Sequence, residues 1–572
     1  MNNVVSLKDY NVIPNSQAEA SNNQKKINTA IVNLDAKGGG VLVVPEGTYF
    51  VSIPNRSEAI IIMHNITLRG ESKQKSVIQF LGRNSRYWAA IVMGNDSRLE
   101  NLTLKDDKTN NQQPSTTGTT HQDNPQALIE IAGLHSTEDG CDLYNSSTWC
   151  IYSDYSAKNP KSRRDDVTIR NCRNYWEKSS YYSTPFDISQ FYIKVDVMTL
   201  EKNEFYTDEP LLSHTVFDVN GTVITIQNNK VYNYVQAVLI GSSDWVNDKP
   251  TLEKNIIIRD NIFEKIKTGI MMYPDLNVSL ENILINNNKI ILDINKNNDV
   301  WDSAATLTAG ITVYPESHGK INNLRIEGNH IEWISKPVIL TEMGLIGGIS
   351  FFNGIAGGFD LEDCTISNNT IKNFPSMGIS IGSYTVAVGV YNTKNVKILN
   401  NTLVDNGIHK DMKNGKNPVD MKYTNYYFTH IFVLPLNLSN IEIAKNTFTD
   451  TGKNNLNGVH WLTLMNDIPL YTVKKLLIQD NILKSFSKEL ASNIWNKINS
   501  EIVLKNTESI IGVPSIDPLE YEMVFKNFEV RTDDPTSPPV GKVWLRSDLE
   551  DTKYPLRLMT SKGIRGIEYK IL

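Results

Sequence analysis

Acidic side chains recur at related places in a series of short apolar segments. Asp275 follows the segment GIMMYP, Glu316 follows GITVYP, and Asp244 occupies nearly the same place one segment earlier. Asp187 belongs to the same series, nearer the N-terminus. Like charges held close together raise each other's pKa, which is costly unless a proton transfer or a bound cation requires it. Asp187, Asp244, Asp275 and Glu316 are therefore the candidate catalytic residues.

Aromatic and polar side chains flank these acids. In GIMMYPD, period-2 alternation turns Ile270 and Met272 inward and Tyr273 outward. Flat aromatic faces hold sugar rings, and a pair of carboxylates does acid–base work, so the combination is typical of a carbohydrate groove. The residues predicted to contact a bound sugar are Glu130, His214, Trp245, Tyr273, Tyr314 and His318.

The distance between two carboxylates decides which hydrolytic mechanism they support. On neighbouring repeats of a stacked structure they would lie roughly 5 Å apart, the separation of a retaining pair. Two repeats apart they would lie roughly 9–10 Å apart, near the upper limit for an inverting pair. Asp244 with Glu316 is the candidate inverting pair, and Asp275 with either neighbour is the retaining alternative.

A structural role for the same acids stays open, because acidic residues after a strand are ordinary turn residues. The stretch DINKNNDVWD at 293–302 places oxygen ligands as a calcium loop does, but it lacks the Gly at the sixth position and has Ala304 at the twelfth. No HExxH, paired CxxC or Walker A motif is present. We therefore expect no required cofactor or metal, with calcium as the divalent cation to test.

The elements that would position these residues form an internal repeat. Its clearest copy is NIIIRDNIF at 255–263, where an Ile alternation and two polar residues precede an Asn. The Asn recurs at positions 203, 229, 261, 288, 329, 369, 401, 446 and 481. Spacings of 26–45 residues indicate one structural unit whose insertions fall in loops.

Such short segments cannot bury their apolar faces alone, but they can when stacked in register. The repeat therefore predicts an all-β fold, a right-handed parallel β-helix, with the Asn side chains forming an internal ladder. A leucine-rich solenoid also places an Asn after a strand, but its repeats are shorter, Leu-dominated and more regular. We favour the β-helix.

Different elements are predicted at the two ends. Residues 16–35 have helical spacing, with Ser16 and Glu19 as a capping box, and this helix would cover the open end of the solenoid. Beyond Gly512 the repeat stops, and a Pro-rich linker at 533–540 precedes three short strands. The predicted domains are an arm and capping helix at 1–40, the β-helix at 41–512 and a C-terminal β module at 513–572.

Two stretches that weaken the repeat, at 105–125 and 134–164, are predicted to be long loops. The second contains several aromatic and acidic residues, and long loops in a repeat array often form the binding surface. Cys141 and Cys150 flank part of it and would pair only if oxidised.

Composition excludes several classes of protein. The 572-residue chain has a formal net charge of −6, without a Lys/Arg cluster typical of a nucleic-acid footprint. No signal peptide is apparent, and the most apolar stretch, at 337–359, is Gly-rich and interrupted by Glu342, which favours two buried strands over a membrane span. We expect synthesis in the cytoplasm, no nucleic-acid partner and no membrane insertion.

The run INTAIVNLDAKGGGVLVVPEGTYFV at 27–51 resembles the opening of pectate-lyase-like β-helix proteins, in particular phage tail spikes and neck appendages. The resemblance covers the fold of residues 16–510. It implies a pectin-lyase-like solenoid and a homotrimer in the virion tail, beside other tail proteins, that binds and depolymerises a host surface glycopolymer, usually by hydrolysis.

The frequent Asn, Ile and Lys residues indicate a low-GC Gram-positive host, so the expected substrate is wall teichoic acid or capsular polysaccharide. Cleavage of a teichoic backbone would use the carboxylates to hold a metal. A polysaccharide lyase is one alternative, and the groove segments examined for the acids contain no Arg or Lys to serve as its base, which argues against it. A spike that binds glycan without cleaving it is the other alternative.

Overall fold

A computed structural model describes the protein as two compact units, Met1–Ala304 and Ala305–Leu572. The described residues are 3–53, 59–82, 88–107, 126–146, 149–153, 164–177, 187–208, 213–241, 251–274, 278–293, 308–313, 319–334, 347–353, 359–375, 377–383, 392–407, 429–434, 437–450, 460–464, 472–485, 491–494, 502–511, 529–531, 534, 543–546, 556–560 and 563–567.

A helical cap begins the N-terminal unit. A 3-10 turn, Gln17–Glu19, leads into an α-helix, Ala20–Asp35. Its predicted apolar face is confirmed, since four residues are buried: Ile27, Ala30, Ile31 and Leu34. The predicted capping box is wrong, because the 3-10 turn separates Ser16 from the α-helix and Ser16 makes no side-chain cap bond.

Three parallel sheets follow in the N-terminal unit. Sheet A contains Val4–Ser6, Gly40–Val44, Ile66–Gly70, Arg98–Glu100, Ser136–Asp139, Arg164–Arg170, the second half of Asp187–Glu201, Val223–Gln227, Thr251–Arg259 and Val278–Asn286. Sheet B contains Gly47–Val51, Ser76–Phe80, Thr103–Lys105, Asp142–Tyr144, Arg173–Trp176, Glu204–Thr207, Lys230–Tyr232, Ile262–Ile266 and Lys289–Leu292. Sheet C contains Ile60–Ile62, Trp88–Met93, Gln126–Ile131, Trp149–Ser153, the first half of Asp187–Glu201, Ser213–Asn220, Gln236–Ile240 and Thr268–Met272.

The C-terminal unit shows the same arrangement, with strands of sheets A, B and C. Its sheet A strands are Gly319–Glu327, Phe359–Ser367, Asn392–Leu399, Asn437–Ala444, Thr472–Gln479 and Ile502–Lys505. Its sheet B strands are His330–Trp333, Thr370–Lys372, Thr402–Val404, Thr447–Asp450, Ile482–Ser485 and Glu508–Ile511. Its sheet C strands are Ala309–Val313, Gly347–Asn353, Met377–Ser383, Thr429–Leu434, His460–Leu464 and Ala491–Ile494.

Within each unit the chain visits the sheets in turn and pairs each strand in parallel with its counterpart one coil later. This winding confirms the predicted parallel β-helix. The apolar residues of the repeat motif line the interior, as Ile224, Ile256 and Ile283 do in sheet A. Fully buried aliphatic side chains stacked this way remove apolar surface from water in every coil.

The predicted Asn ladder is confirmed in both units. Asn261 Nδ2 donates to the carbonyl of Ile226 at 2.9 Å, and Asn261 Oδ1 accepts from the backbone N–H and the side chain of Asn229 at 2.9 and 3.0 Å. The same pattern links the ladder Asn residues of each unit, Asn203, Asn229, Asn261 and Asn288 in one and Asn329, Asn369, Asn401, Asn446 and Asn481 in the other. Each buried amide thereby finds partners in neighbouring coils.

The polar residue before each ladder position turns the chain. Asn228, Asp260 and Asn287 have φ near +57°, in the left-handed region that Asn and Asp tolerate best among residues with side chains. This requirement explains why two polar residues precede the ladder Asn throughout the repeat.

The predicted loop at 134–164 is wrong for much of the part that the structure describes, and residues 147, 148 and 154–163 lie outside the described residues. It contains three strands, Ser136–Asp139, Asp142–Tyr144 and Trp149–Ser153, which form a further coil. Cys172 takes a ladder position, and its backbone N–H donates to Asn203 Oδ1 at 3.1 Å, as the N–H of a ladder Asn does elsewhere. Cys141 lies at the equivalent place one coil earlier, since its carbonyl accepts from Arg173 N at 2.8 Å. Because cysteines replace the motif Asn here, the coil escaped recognition.

The remaining structural predictions concern smaller features. All four cysteines are buried and free, so Cys141 is not paired with Cys150. The C-terminal module contains the three predicted strands, Val543–Arg546, Leu556–Thr560 and Gly563–Ile567, and a fourth strand, Glu529–Arg531. Residues 108–125 of the first predicted loop lie outside the described residues. No helix in the described ranges is long and apolar enough to span a membrane.

Candidate functional site

The outer face of sheet C in the N-terminal unit gathers the aromatic and charged side chains most suited to binding a ligand. One row of register partners, here called the outer row, crosses seven strands: Val92, Glu130, Tyr152, Tyr192, Asp218, Leu239 and Met271. Most of these side chains are half-buried, and Asp218 is 4% exposed.

Residues three positions earlier share this face. Trp149 and Tyr152 stack with centroids 4.6 Å apart and an angle of 17° between the rings, although strict alternation would put them on opposite faces. The two residues between them, Cys150 and Ile151, are both buried. A local irregularity therefore gives each strand the order out, in, in, out.

The central feature of the face is a stack of three rings, here called the aromatic platform: Trp149, Tyr152 and Tyr192. Tyr192 lies 5.3 Å from Trp149 and 5.6 Å from Tyr152 between ring centroids, with interplanar angles of 30° and 13°. The platform packs against the small residues Ala89 and Ala127 of the two preceding strands. Trp149 is 5% exposed, so Tyr152 and Tyr192, which are half-buried, are the rings of the platform that a bound sugar would contact.

Polar groups lie at both ends of the platform. Glu130 is the register partner of Tyr152 on one side, and Asp218 is the register partner of Tyr192 on the other. Ser189 Oγ donates to Asp218 Oδ2 at 3.3 Å, which places both residues on the same face. The Lys194 ammonium group lies 4.7 Å from the centroid of the Tyr192 ring, a cation–π geometry.

A buried polar pair adjoins Lys194. Asn220, the register partner of Lys194, donates from Nδ2 to Glu253 Oε1 at 2.7 Å. Glu253 is fully buried. Lys194 and Asn220 are 9% and 8% exposed. Burying charged groups is costly unless they are paired or have a function, so the end of the platform near Asp218 is the part of this face most suited to proton transfer.

Two of the predicted site residues have described side chains. Glu130 lies on the outer row, as predicted, and Tyr273 is half-buried two residues beyond Met271. Ile270 and Met272 are fully buried, in agreement with the faces predicted from alternation.

Two further predicted residues are described only by their backbone. Asp187 and His214 lie on neighbouring strands, where Asp187 pairs with Ser213 and His214 pairs with Ile188. Asp187 is five residues before Tyr192, so it is not on the outer row with Glu130. The other predicted residues, Asp244, Trp245, Asp275, Tyr314, Glu316 and His318, lie outside the described residues, and their roles stay predictions.

The residues that the structure brings together were not predicted. Trp149 and Tyr152 fell in the predicted loop at 134–164, and Tyr192, Lys194 and Asp218 were not among the candidate residues. Lys194 also removes the argument against a polysaccharide lyase, because it places a cationic side chain on this face. The signal that could have found these residues is the series IYS at 151–153, FYI at 191–193 and FDV at 217–219, whose members are register partners.

Sheet B carries a second aromatic column, formed by Tyr144, Tyr175, Tyr206 and Tyr232. Tyr206 stacks on Tyr175 and Tyr232 with centroids 5.3 and 5.4 Å apart and rings within 9° of parallel. Lys105 and Lys265 lie 5.3 and 4.9 Å from the rings at the two ends. Tyr206 is 43% exposed, but the groups at the two ends of this column are ammonium groups, whereas those at the ends of the aromatic platform are carboxylates.

The described residues offer no ready metal centre. No group of three or more His, Cys, Asp or Glu side chains among them is arranged to hold an ion. The proposed calcium stretch at 294–302 lies outside the ranges that the structure describes.

Comparison with known proteins supports the fold. No protein-family profile and no curated sequence matches the chain. A variant of the tailspike protein of E. coli bacteriophage HK620, in complex with pentasaccharide, matches with a TM-score of 0.53 at 13% identity, over 80% of this chain and 78% of that one. A second variant of that tailspike, also with pentasaccharide, gives 0.52 at 13% identity with the same coverage.

The A-module of mannuronan C-5 epimerase AlgE6 from Azotobacter vinelandii also matches, with a TM-score of 0.36 at 13% identity, over 88% of this chain and 99% of that one. At 13% identity, the structural likeness to the tailspike variants shows the fold alone, and the activity has to be argued from the site. The predicted resemblance to phage tail spikes is confirmed at the level of fold.

Proposed function

We propose that this chain is a phage tail spike that binds and depolymerises a glycopolymer of its host's surface, and that the outer face of sheet C in the N-terminal unit is the binding groove. The observation that carries the proposal is the aromatic platform of Trp149, Tyr152 and Tyr192 with carboxylates at its two ends. The tailspike neighbours, solved with a bound pentasaccharide, support it by analogy of fold.

The proposal extends to substrate, assembly and location. The polymer would be wall teichoic acid or capsular polysaccharide of a Gram-positive host, cleaved by hydrolysis. The spike would be a homotrimer in the virion tail, in contact with other tail proteins. Calcium is the cation to test, because carboxylates at 293–302 supply oxygen ligands of the kind it prefers.

The platform's geometry suits an extended chain of sugars. The outer row crosses neighbouring strands, so successive residues along it are about 4.8 Å apart and lie parallel to the coil axis. A polymer lying along this row would contact Glu130, then the aromatic platform, then Asp218. Affinity would come from contacts of the sugars with the aromatic platform, and specificity would come from Glu130 and Asp218 at its ends.

Polysaccharide lyase activity is the second candidate, and Lys194 is the observation that favours it. An elimination needs a base that removes a proton beside a sugar carboxylate, and a desolvated lysine is able to do this. Lys194 is 9% exposed and lies on the same face as the platform.

A depolymerisation assay tests these functions together. Purified protein is incubated with wall teichoic acid and with capsular polysaccharide, with and without EDTA, and polymer length and new chain ends are followed. Hydrolysis predicts shortening that survives EDTA and yields saturated reducing ends. Unsaturated ends would indicate a lyase, and loss of shortening in EDTA would indicate a metal-dependent enzyme. Binding without shortening would leave a receptor-binding spike, and no binding to either polymer would contradict the proposal.

A further inference from the structure

We propose that Asp218 is the catalytic carboxylate of the sheet C face and that Lys194 is its positioning residue, an inference that rests on the proposed function. Neither residue was among the predicted catalytic candidates. Two kinds of observation carry the assignment: the place of Asp218 at one end of the aromatic platform, and the placement of Lys194 over the ring beside it.

Asp218 combines outward orientation with burial. It is 4% exposed, and its register partners are Tyr192 on one side and Leu239 on the other. The bond from Ser189 Oγ to Oδ2, at 3.3 Å, holds the carboxylate on the outer face. Glu130, the other carboxylate of the outer row, is half-buried and separated from Asp218 by two aromatic residues.

A polymer bound along the outer row would bring a linkage to this position. If one sugar contacts the exposed edge of the Tyr152 ring and the next that of the Tyr192 ring, the following linkage lies at the next residue of the row, which is Asp218. Reacting groups must be held next to the scissile bond for proximity to lower the barrier. The platform would therefore position the substrate, and Asp218 would act on it.

Lys194 lies on the neighbouring strand, two residues after the register partner of Asp218. Its ammonium group is above the ring of Tyr192, which neighbours Asp218 across the sheet. The strand after Asp218 contributes Leu239, which does not titrate, and Glu253 reaches the same end of the platform through its bond to Asn220. A nearby ammonium favours the ionised form of a carboxylate, so Lys194 would keep Asp218 ready to accept a proton.

The proposed step is general-base hydrolysis of a glycosidic bond. Asp218 accepts a proton from water as the water oxygen bonds to the anomeric carbon and the bond from that carbon to the leaving oxygen breaks. The leaving oxygen takes its proton from the solvent, and Asp218 returns its own proton to the solvent, so that the carboxylate is restored.

The test compares Asp218→Asn, Lys194→Met and Glu204→Gln with the wild type on the polymer that the wild type shortens. Glu204 is a carboxylate on sheet B, paired with Lys230 at 3.0 Å, and serves as the matched control. We expect Asp218→Asn to retain polymer binding and to lower kcat about 10²–10⁴-fold, and Glu204→Gln to leave both unchanged. Thermal unfolding of each variant checks that the fold is retained.

The pH profile separates a positioning role of Lys194 from a structural one. Loss of the ammonium group should raise the apparent pKa of the acidic limb of the kcat profile by about one unit, with little change in KM. A merely structural defect would lower kcat by the same factor at every pH, and this result would overturn the role of Lys194. If Ser189→Ala, which removes only a hydroxyl, also shifts the limb upward, the orientation of Asp218 is supported.

Failure of this inference is distinguishable from failure of the proposed function. If the wild type shortens a polymer and Asp218→Asn shortens it at a comparable rate, Asp218 is not the catalytic carboxylate, and the proposed function stands. If the wild type shortens neither teichoic acid nor capsule, the depolymerase itself is contradicted, and the assignment of Asp218 falls with it.

Discussion

Glu138 is a carboxyl group inside the coils of the N-terminal unit. It is fully buried between the register partners Leu99 and Ile169, and neither of its oxygens has a hydrogen-bond partner among the described residues. Burial, with a smaller effect from Cys172, raises its pKa well above the usual range. The protonated form is therefore the one that suits the folded interior.

Replacing this residue should stabilise the protein. A carboxyl whose pKa is raised by folding contributes stability below its unfolded pKa and loses that contribution as the pH rises through the folded pKa. We expect Glu138→Leu to raise the free energy of unfolding by about 1–3 kcal/mol at neutral pH, and by less at pH 4. Urea unfolding at both pH values measures this. Equal effects at the two pH values would contradict a buried, titrating carboxyl.

His430, in the C-terminal unit, has a pKa that folding lowers, whereas folding raises that of Glu138. It is fully buried, its Nδ1 is 3.2 Å from Asn406 Nδ2, and its Nε2 has no hydrogen-bond partner among the described residues. Burial lowers its pKa to about 4, against a smaller opposing effect of Asp450. Neutral imidazole is therefore the form that the folded state holds at pH 7.

Acid should destabilise this unit through His430. As the pH falls below 6.5 the unfolded chain takes up the proton first, so stability is lost between pH 6.5 and about 4. The loss attributable to this residue is on the order of 3 kcal/mol. Urea unfolding of the wild type and of His430→Gln across this range checks it, and the variant should show the smaller loss. Parallel curves would show that His430 does not titrate as described.

The residue scale is also where sequence reasoning was weakest. Alternation placed Tyr273 and Met272 on their correct faces, because that segment follows the period of a strand. It could not place Trp149 and Tyr152 together, since the irregular order of out, in, in, out breaks the period. Lys194 and Asp218 were not predicted as site residues, because each lies towards the end of a sheet C stretch whose extent the apolar alternation did not reveal.

At the scale of elements, the Asn ladder is the feature on which the coils depend. Asn261 Nδ2 donates to the backbone carbonyl of Ile226. Asn261 Oδ1 accepts hydrogen bonds from the backbone N–H and the side-chain amide of Asn229. Truncating this side chain leaves those groups buried without their partners.

We expect Asn261→Ala to lower the free energy of unfolding by about 1–3 kcal/mol for each buried group left unpaired. Lys254→Ala, at an exposed position of sheet A in the same coil, is the control and should change stability by less than about 0.5 kcal/mol. Thermal or urea unfolding compares the two variants. An effect of Asn261→Ala no larger than that of the control would show that the ladder does not stabilise the coils.

The elements were largely predictable because two independent requirements act on the same few positions. The interior needs an apolar alternation, and the turn needs a residue that accepts positive φ followed by an amide that can bond in both directions along the stack. Both requirements appear in the stretch from Ile256 to Asn261. Where Cys141 and Cys172 take the place of the Asn, the pattern no longer signals a coil, although the backbone bonds persist.

At the scale of the whole molecule, the two aromatic columns differ in the groups at their ends. On sheet C, Glu130 and Asp218 lie at the ends of the aromatic platform, whereas on sheet B the ammonium groups of Lys105 and Lys265 lie at the ends of the tyrosine column. Substrate identity and assembly could not be predicted to the same depth, because both depend on contacts with molecules other than this chain.

The most direct test of the central claim is the affinity of Tyr152→Ala and Tyr206→Ala for the surface glycopolymer, measured beside the wild type by calorimetry. Both variants remove one ring of a stack, but only Tyr152 belongs to the aromatic platform. We predict that Tyr152→Ala weakens binding at least about tenfold, equivalent to about 1.4 kcal/mol, while Tyr206→Ala binds as the wild type does. Equal affinities for all three proteins, or a loss confined to Tyr206→Ala, would contradict the assignment of the groove to sheet C.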